Sequence, residues 1–144
     1  MATAISDQAK SASSSGKPEK GGSVVPVDPA EQCVRRLLPK FLPRNVNHIY
    51  VIPTTNFKNQ FDRARSLLRN EGDYIIIHGL GVAVEKGINL TLKIKNALPE
   101  LSLTTQTSGF HANEELALEV TADGQARYIN VVHMKLMKPV TDNV

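Results

Sequence analysis

The most specific chemical pattern in the chain is a short apolar run that ends in two glycines just before a helix-forming stretch. It reads IIIHGLGVAVEKGINL, with His78, Gly79, Leu80 and Gly81 between the apolar run and the predicted helix. Glycines permit a tight turn and close backbone approach, and the free N–H groups at a helix start attract phosphate. We therefore predict a phosphate contact at this turn. The alternative is structural, with glycines that only turn a strand into a helix and a histidine satisfied by backbone groups.

Neither common nucleotide-binding motif fits this turn. A dinucleotide fingerprint requires Gly or Ala where Val84 stands, and an acidic residue after the next strand, where Ser108 and Gly109 occur instead. A P-loop requires Gly-Lys-Ser/Thr at the helix start, and this chain has Gly-Val-Ala there. A small nucleotide-dependent enzyme is therefore the least supported class.

Candidate nucleophiles and metal ligands are few and scattered. The single cysteine, Cys33, cannot form an internal disulfide, and the four histidines (His48, His78, His111, His133) lack zinc-ligand spacing. The histidines also fall in different predicted elements, and no Gly-x-Ser-x-Gly motif or carboxylate pair accompanies them. We predict a noncatalytic protein without a metal or other cofactor.

Charge is unevenly distributed along the chain. Residues 31–69 contain eight basic residues against two acidic ones, whereas residues 100–124 contain five acidic residues and no basic one. This asymmetry favours a polyanion bound at one face, with a solvated surface of mixed charge as an equal alternative. The basic residues of the first stretch are Arg35, Arg36, Lys40, Arg44, Lys58, Arg63, Arg65 and Arg69. Arg65 and Arg69 stay open, because they could be solvated or paired with nearby carboxylates, namely Asp62 and Glu71.

Hydrophobic periodicity predicts an α/β sandwich with helices on a sheet, in the order β-α-β-α-β-β. The stretches with strand character are residues 48–52, 73–78, 101–107, part of 116–120, and 128–137. Helices are expected at residues 57–69 and 82–98. A hairpin-type turn is expected at Ala122-Asp123-Gly124.

The 144 residues leave room for one domain with extensions. Residues 1–29 are rich in Ser, Gly, Lys and Pro and cannot bury enough apolar surface, so we expect a disordered tail. Residues 30–47 form a basic, proline-containing arm, residues 48–138 the domain, and residues 139–144 a short C-terminal tail. We expect no signal sequence and no membrane span.

Two apolar patterns lie outside the expected core. In the arm, one amphipathic turn is expected before prolines stop any helix, and it consists of Val34, Leu37, Leu38 and Phe41. The second helix is apolar around most of its circumference. On it, Val84, Ile88 and Leu92 extend the apolar face and are expected to contact another chain.

The stretches NHIYVIPTTNFKNQFDRARSLL and DYIIIHGLGVAVEKGINLTLKIKNAL resemble the Alba family. Within it they look like the smaller of the two Alba-like subunits of eukaryotic nuclear ribonuclease P and ribonuclease MRP, whose basic, proline-rich entry resembles VRRLLPKFLPRNVNHIYV. The resemblance covers residues 34–98 and becomes loose over residues 101–138. One departure is Pro53-Thr54-Thr55, where Alba proteins usually place lysines, and it shifts the expected RNA contact toward the glycine turn and the arm.

The resemblance implies an Alba-type two-layer sandwich and a heterodimer with the larger Alba-like subunit, seated on the RNA of these nuclear and nucleolar particles beside their other protein subunits. The RNA performs the cleavage that matures the 5′ end of precursor tRNA, and the related particle acts on precursor rRNA. The chain is then expected to be a noncatalytic RNA-binding and assembly subunit. The RNA-contacting set is Arg35, Arg36, Lys40, Arg44, Lys58, His78, Gly79, Leu80, Gly81 and Lys86. The alternative is a dimerisation platform whose partner makes most RNA contacts, which the acidic region favours.

Overall fold

The structure is a computed structural model that describes residues 24–70, 72–121, 123 and 127–139. Its elements are α1 (Pro29–Leu37), β1 (His48–Val51), α2 (Phe57–Asn70), β2 (Tyr74–Leu80), α3 (Val84–Ala97), β3 (Ser102–His111), α4 (Glu114–Val120) and β4 (Tyr128–Met137). A short 3-10 turn, Gly81–Ala83, joins β2 to α3. Of the predicted tails, residues 1–23 and 140–144 lie outside the described residues. Residues 24–29, expected to be part of the disordered tail, contact the domain: Val24 packs against the core, and the amide of Val25 donates to the Ser66 hydroxyl at 3.2 Å. None of the helices in the described ranges has the length and apolarity that crossing a bilayer requires.

The four strands form one mixed sheet in the order β1-β2-β4-β3. The first two strands run parallel and are joined through α2, whereas β4 pairs antiparallel with both β2 and β3. The predicted α/β class is confirmed, and the elements follow the predicted order β-α-β-α-β-β except that α4 lies between the last two strands. This order makes β1 and β3 the two edges of the sheet.

Helices α2 and α3 cover one face of the sheet. Strand residues such as Ile77 and Leu136 are fully buried beneath aliphatic side chains of both helices, which include Leu67, Leu68, Leu90 and Ile94. Burial of this aliphatic surface is the main stabilising contribution on this side.

Helix α1 and helix α4 cover half of the opposite face. Val34, Leu38 and Leu42 of the arm are buried in a second core, together with Tyr50, Ile52, Leu80, Phe110, Leu116, Val120, Ile129 and Val131. The arm therefore shares a core with the sheet and packs across the domain. The other half of this face is uncovered, and its half-buried or exposed residues include Tyr74, Ile76, Thr104, Gln106, His133 and Lys135.

The free edge of β1 is closed by side chains from α1 and α2. The buried carboxylate of Glu31 accepts a hydrogen bond from the Tyr50 amide at 2.9 Å, and Gln60 donates to the Tyr50 carbonyl at 2.8 Å. Arg35 donates to the carbonyl of His48. An open strand edge exposes unpaired backbone groups that invite pairing with another chain. The arm thus protects this edge.

The prediction of a strand within residues 116–120 is wrong, because this segment belongs to helix α4. The side chain of Asn113 accepts a hydrogen bond from the amide of Leu116 at 2.8 Å, which is the arrangement of a helix N-cap. Helical spacing then buries Leu116, Ala117 and Val120. Since α4 lies between β3 and β4, no hairpin joins two strands here. Residues 122 and 124 of the expected turn lie outside the described residues.

Helix α1 is longer than the single turn that the prolines led us to expect. Asp28 accepts a hydrogen bond from the amide of Ala30 at 3.1 Å, and Pro29 occupies the first helical turn, where its missing N–H costs nothing. The helix ends before Pro39, as expected. Phe41 differs from the expected apolar turn, because it is 67% exposed and its ring meets that of Phe110 edge to face at 6.2 Å.

Candidate nucleic-acid interface

The glycine turn between β2 and α3 is explained by packing. Gly79 is buried, and a Cβ there would lie 3.0 Å from the Cα of Val84. Gly81 has a φ of 58°, in the left-handed region that favours glycine, and its Cβ would lie 3.0 Å from the carbonyl oxygen of Val120 in α4. Leu80 between them is fully buried. The structural alternative therefore accounts for this turn, and the phosphate contact predicted for these three residues gains no support from their geometry.

The predicted arm cations Arg35 and Arg44 hold the arm together. The Arg35 guanidinium lies 2.9 Å from the Glu31 carboxylate and donates to the Arg44 carbonyl at 3.1 Å. Arg44 donates in return to the carbonyls of Arg35 and Leu38, at 3.0 and 2.5 Å. These donors are satisfied within the protein, so both residues stabilise the arm, and their contact with RNA stays a prediction.

The remaining arm cations, Arg36 and Lys40, are exposed. Arg36 lines a groove between α1 and α4 together with Glu115 and Glu119, whose carboxylates repel phosphate. Lys40 lies in the loop after α1 and stays a predicted RNA contact.

Lys58 belongs to a cationic groove between α2 and α3. The groove has a volume of about 400 Å³ and is lined by Phe57, Lys58, Phe61, Asp62, Arg65 and Lys93. Arg65 and Lys93 both lie over the Phe61 ring, 5.5 and 5.2 Å from its centroid. Lys58 forms an ion pair with Asp62 at 2.8 Å. The Asp62 carboxylate is therefore paired with Lys58, and not with Arg65 as one of the sequence alternatives proposed.

A second cationic cavity of about 430 Å³ continues from Arg65 to the end of the sheet. Its charged lining residues are Arg65, Arg69, Glu100 and Lys138. We call Lys58, Lys93, Arg65, Arg69 and Lys138 the cationic track. Phosphate contacts by Lys and Arg supply most of the sequence-independent affinity for nucleic acids, and the track offers five such groups along one side of the domain.

Sequence reasoning left Arg65 and Arg69 open and did not name Lys93 or Lys138. Arg65 and Arg69 share one side of α2 because they are four residues apart. Lys93 comes from α3 and Lys138 follows β4, so only tertiary packing brings them beside α2. The local signals for this site were the basic stretch 31–69 and the i, i+4 spacing of Arg65 and Arg69.

The opposite flank of α3 is apolar. Ile88 and Leu92 are 37% and 48% exposed, and Val84 is half-buried. On the edge strand β3, Leu103 is 37% exposed and pairs in register with Leu136, which places it on the side of the sheet that carries α3. We call Val84, Ile88, Leu92 and Leu103 the apolar flank.

Three histidines form a hydrogen-bonded row on the other sheet face, from the buried His48 and His78 to the half-buried His133. His78 Nε2 lies 2.8 Å from His48 Nδ1, and His78 Nδ1 lies 2.7 Å from His133 Nδ1. His133 Nε2 lies 2.7 Å from the hydroxyl of Ser108, and the Tyr50 ring stacks on His78 at 4.3 Å. His78 is only 3% exposed, so its ring is closed off from the RNA contact predicted for it. No three His, Cys, Asp or Glu side chains in the described ranges are arranged to hold a metal ion.

Burial keeps this row neutral. Burial, together with the nearby His133, His48 and Arg35, lowers the pKa of His78 to about 3. Burial likewise lowers the pKa values of His48 and His133. When each neutral ring carries one N–H, the row has two complete arrangements, with donors running from His48 toward Ser108 or in the reverse direction. The row is therefore a satisfied polar network that fixes the rings in place.

Comparison with known proteins agrees with this architecture. Residues 47–109 match the Alba family model. The chain is 33% identical over 129 residues to ribonuclease P protein subunit p20 of Homo sapiens. The aligned region covers 83% of this chain and 92% of that protein. The chain belongs to the Alba family.

Other relatives of this Alba protein carry the same description. Ribonuclease P protein subunit p20 of Bos taurus is 37% identical over 100 residues, or 65% of this chain and 71% of that protein. The crystal structure of ALBA1 from Trypanosoma brucei matches with a TM-score of 0.50 at 13% identity, over 67% of this chain and 72% of that one. This structural likeness concerns the fold, and the expected Alba-type sandwich is confirmed.

The loop after β1 in this Alba domain, Pro53-Thr54-Thr55, receives its positive charge from α3. The ammonium group of Lys86 donates to the carbonyls of Ile52 and Pro53 at 3.3 and 3.0 Å, and also to that of Thr55. Burial lowers the pKa of Lys86. Its three donors are thus used to close the loop, and the RNA contact of Lys86 stays a prediction.

Proposed function

We propose that this chain is a noncatalytic RNA-binding and assembly subunit of ribonuclease P and ribonuclease MRP, paired with the larger Alba-like subunit as a heterodimer. In this role it supports 5′ maturation of precursor tRNA and processing of precursor rRNA, in the nucleus and nucleolus. The observation that carries the proposal is the 33% identity to human ribonuclease P protein subunit p20 over 92% of that protein.

The cationic track supports RNA binding by this chain. Its five cations face two carboxylates, Asp62 and Glu100, and Asp62 is already paired with Lys58. Neutralising phosphates releases condensed counterions, which gives affinity without base recognition. A subunit that only positions RNA needs no more chemistry than this, since the RNA carries the cleavage.

The two flanks of α3 support simultaneous binding of RNA and a partner subunit. Lys93 contributes to the groove toward α2, whereas Ile88 and Leu92 project from the opposite flank. Exposed aliphatic residues on one helix face mark a protein-interaction surface. We therefore assign the heterodimer contact to the apolar flank, which contains the predicted residues Val84, Ile88 and Leu92.

The second candidate is a dimerisation platform whose partner makes most RNA contacts. It is favoured by the hydrogen bonds that Arg35, Arg44 and Lys86 make within the chain, because these leave fewer donors for RNA. It is also favoured by α4, where Glu114, Glu115 and Glu119 form an acidic surface.

Affinity purification of the tagged chain from cells tests the proposal. We expect the larger Alba-like subunit in equal amount, the RNAs of both particles, and cleavage of precursor tRNA at its 5′ end. The platform alternative predicts the same recovery but no loss of RNA when the cationic track is neutralised. Recovery of the chain without either RNA would contradict both candidates.

A further inference from the structure

A cavity of about 370 Å³ lies on the sheet face opposite α2 and α3, in the half that α1 and α4 leave uncovered. It is lined by Ile76, Ser102, Thr104, Gln106, His133, Lys135 and Met137. Strand register brings these residues together, because Lys135 pairs with both Ile76 and Thr104, and His133 pairs with Gln106. Side chains alternate along a strand, so the lining residues share one face.

We propose that this cavity, the sheet-face pocket, binds one unpaired nucleotide of a single-stranded RNA segment. The inference rests on the RNA-binding role proposed above and names a site within it that the cationic track does not provide. Its volume lies near the lower end of the range of about 300–1,000 Å³ for ligand pockets, which suits a single nucleotide better than a helix.

The charge of the pocket fits a phosphate. Among the described residues that line the pocket, Lys135 carries a positive charge and none carries a carboxylate. Its ammonium group is positioned by the ring of Tyr74, 4.6 Å from the centroid. A positioned ammonium on a surface without carboxylates attracts the nucleotide's phosphate group.

The uncharged lining fits an exposed base. Gln106 offers an amide oxygen and two N–H donors, and Thr104 offers a hydroxyl, so both edges of a base can be matched. Ile76 and Met137 supply an apolar surface beneath these groups. Single-stranded RNA exposes base edges that a duplex hides. A protein partner fits this surface less well, because protein-docking surfaces have a more apolar and aromatic centre.

The histidine row supplies one rigid wall of the pocket. His133 is held between His78 and Ser108, at 2.7 Å from each. Because the row has two complete arrangements, the hydroxyl of Ser108 can donate or accept without breaking the row. A wall fixed in this way lowers the entropy cost of binding a ligand against it.

The sheet-face pocket is continuous in sequence with the cationic track. Leu101 and Lys138 line the cavity at the end of the track, while the next residues, Ser102 and Met137, line the pocket. An RNA strand whose phosphates follow the track can therefore turn over the end of the sheet and place its next nucleotide in the pocket.

Binding of two RNA probes to the purified heterodimer tests the proposal. The probes are a short labelled oligouridylate and a blunt RNA duplex of the same length, measured by fluorescence anisotropy. Combining Lys135→Ala with Gln106→Ala should weaken oligouridylate binding by about tenfold or more and leave duplex binding within about twofold of the unaltered heterodimer. Arg127→Ala is the matched control, since Arg127 is an exposed cation that lies outside the pocket, the track and the predicted RNA contacts. If the double variant unfolds at a lower temperature than the unaltered chain, Thr104→Ala, at an exposed position of the pocket, is used in its place.

The outcomes separate this proposal from the proposed function. Oligouridylate affinity that stays within about twofold in the pocket variants, with duplex binding intact, overturns the pocket and keeps the RNA-binding role. If the unaltered heterodimer binds neither probe, both proposals fail. Protection of the Lys135 ammonium group from chemical acetylation by the larger Alba-like subunit without RNA would assign this face to a protein and also overturn the pocket.

Discussion

The carboxylate of Glu31 in α1 accepts a hydrogen bond from the backbone amide of Tyr50 in β1 at 2.9 Å. Glu31 is completely buried and also meets the Arg35 guanidinium at 2.9 Å and the Gln60 amide at 3.0 Å. A buried charge is tolerated when its partners are present and becomes costly when one is removed. This one carboxylate joins the arm, the edge strand and α2.

Replacing Glu31 by alanine should destabilise the chain strongly. Glu31→Ala leaves the Arg35 charge and the Tyr50 amide without their shared acceptor, so we expect the free energy of unfolding to fall by about 3–5 kcal/mol. Urea denaturation measures this change. Glu85→Ala removes an exposed carboxylate from α3 and should stay within about 0.5 kcal/mol. A loss below about 1 kcal/mol for Glu31→Ala would show that the arm is held by other contacts.

The histidine row should make stability fall in mild acid. The pKa of His78 is lowered from 6.5 to about 3 in the folded chain, so the unfolded chain binds more protons between these values. His78 makes its full contribution to the free energy of unfolding above pH 6.5. This contribution falls by up to about 1.4 kcal/mol per pH unit as the pH falls toward 3. Thermal denaturation between pH 7 and pH 5 should show this loss. His78→Gln should flatten the pH dependence, whereas the matched His111→Gln, at an exposed position, should retain it. If stability depends on pH equally in both variants, the histidine row is not the cause of the loss of stability in acid.

Local pattern predicted most of the fold, and non-local packing decided the site. Apolar runs and helical spacing gave β1, β2, β4, α2 and α3 close to their observed bounds. Helix α4 was missed because its apolar residues also suit a strand, and the Asn113 cap decided the outcome. Strand register aligned His78 with His133, which no sequence spacing reveals. The same limit applies to the arm, where the ion pair of Arg35 with buried Glu31 depends on packing that the charge pattern does not reveal.

The glycine turn should respond to substitution through stability rather than through RNA affinity. Gly81→Ala forces a side chain into a φ of 58° and toward the Val120 carbonyl, so we expect a loss of about 1–3 kcal/mol. Gly72→Ala is the matched control, because its Cβ would have ordinary contacts, the nearest at 3.5 Å. RNA affinity of the folded Gly81→Ala heterodimer should equal that of the unaltered one. Unchanged stability combined with weakened RNA binding would restore the predicted phosphate contact.

A charge on the apolar flank should prevent pairing. Ile88→Glu and Leu92→Glu place carboxylates at positions that are 37% and 48% exposed, so the single chain should fold while the heterodimer is lost. Coexpression followed by sedimentation measures the complex. Asn89→Glu adds the same charge at an exposed polar position of the same helix and should leave pairing intact. Normal complex formation by both flank variants would place the partner contact elsewhere.

The salt dependence of RNA affinity tests the central claim, RNA binding by this chain, most directly. The affinity of the heterodimer for the ribonuclease P RNA is measured over a series of salt concentrations, with and without Arg65→Ala and Arg69→Ala in this chain. If the cationic track contacts phosphates, the slope of log affinity against log salt should lose about 0.7–0.9 for each contact removed, and the affinity should fall at low salt. An unchanged slope and affinity, in a heterodimer shown to be intact, would contradict RNA binding through the track and leave this chain as the platform of its partner.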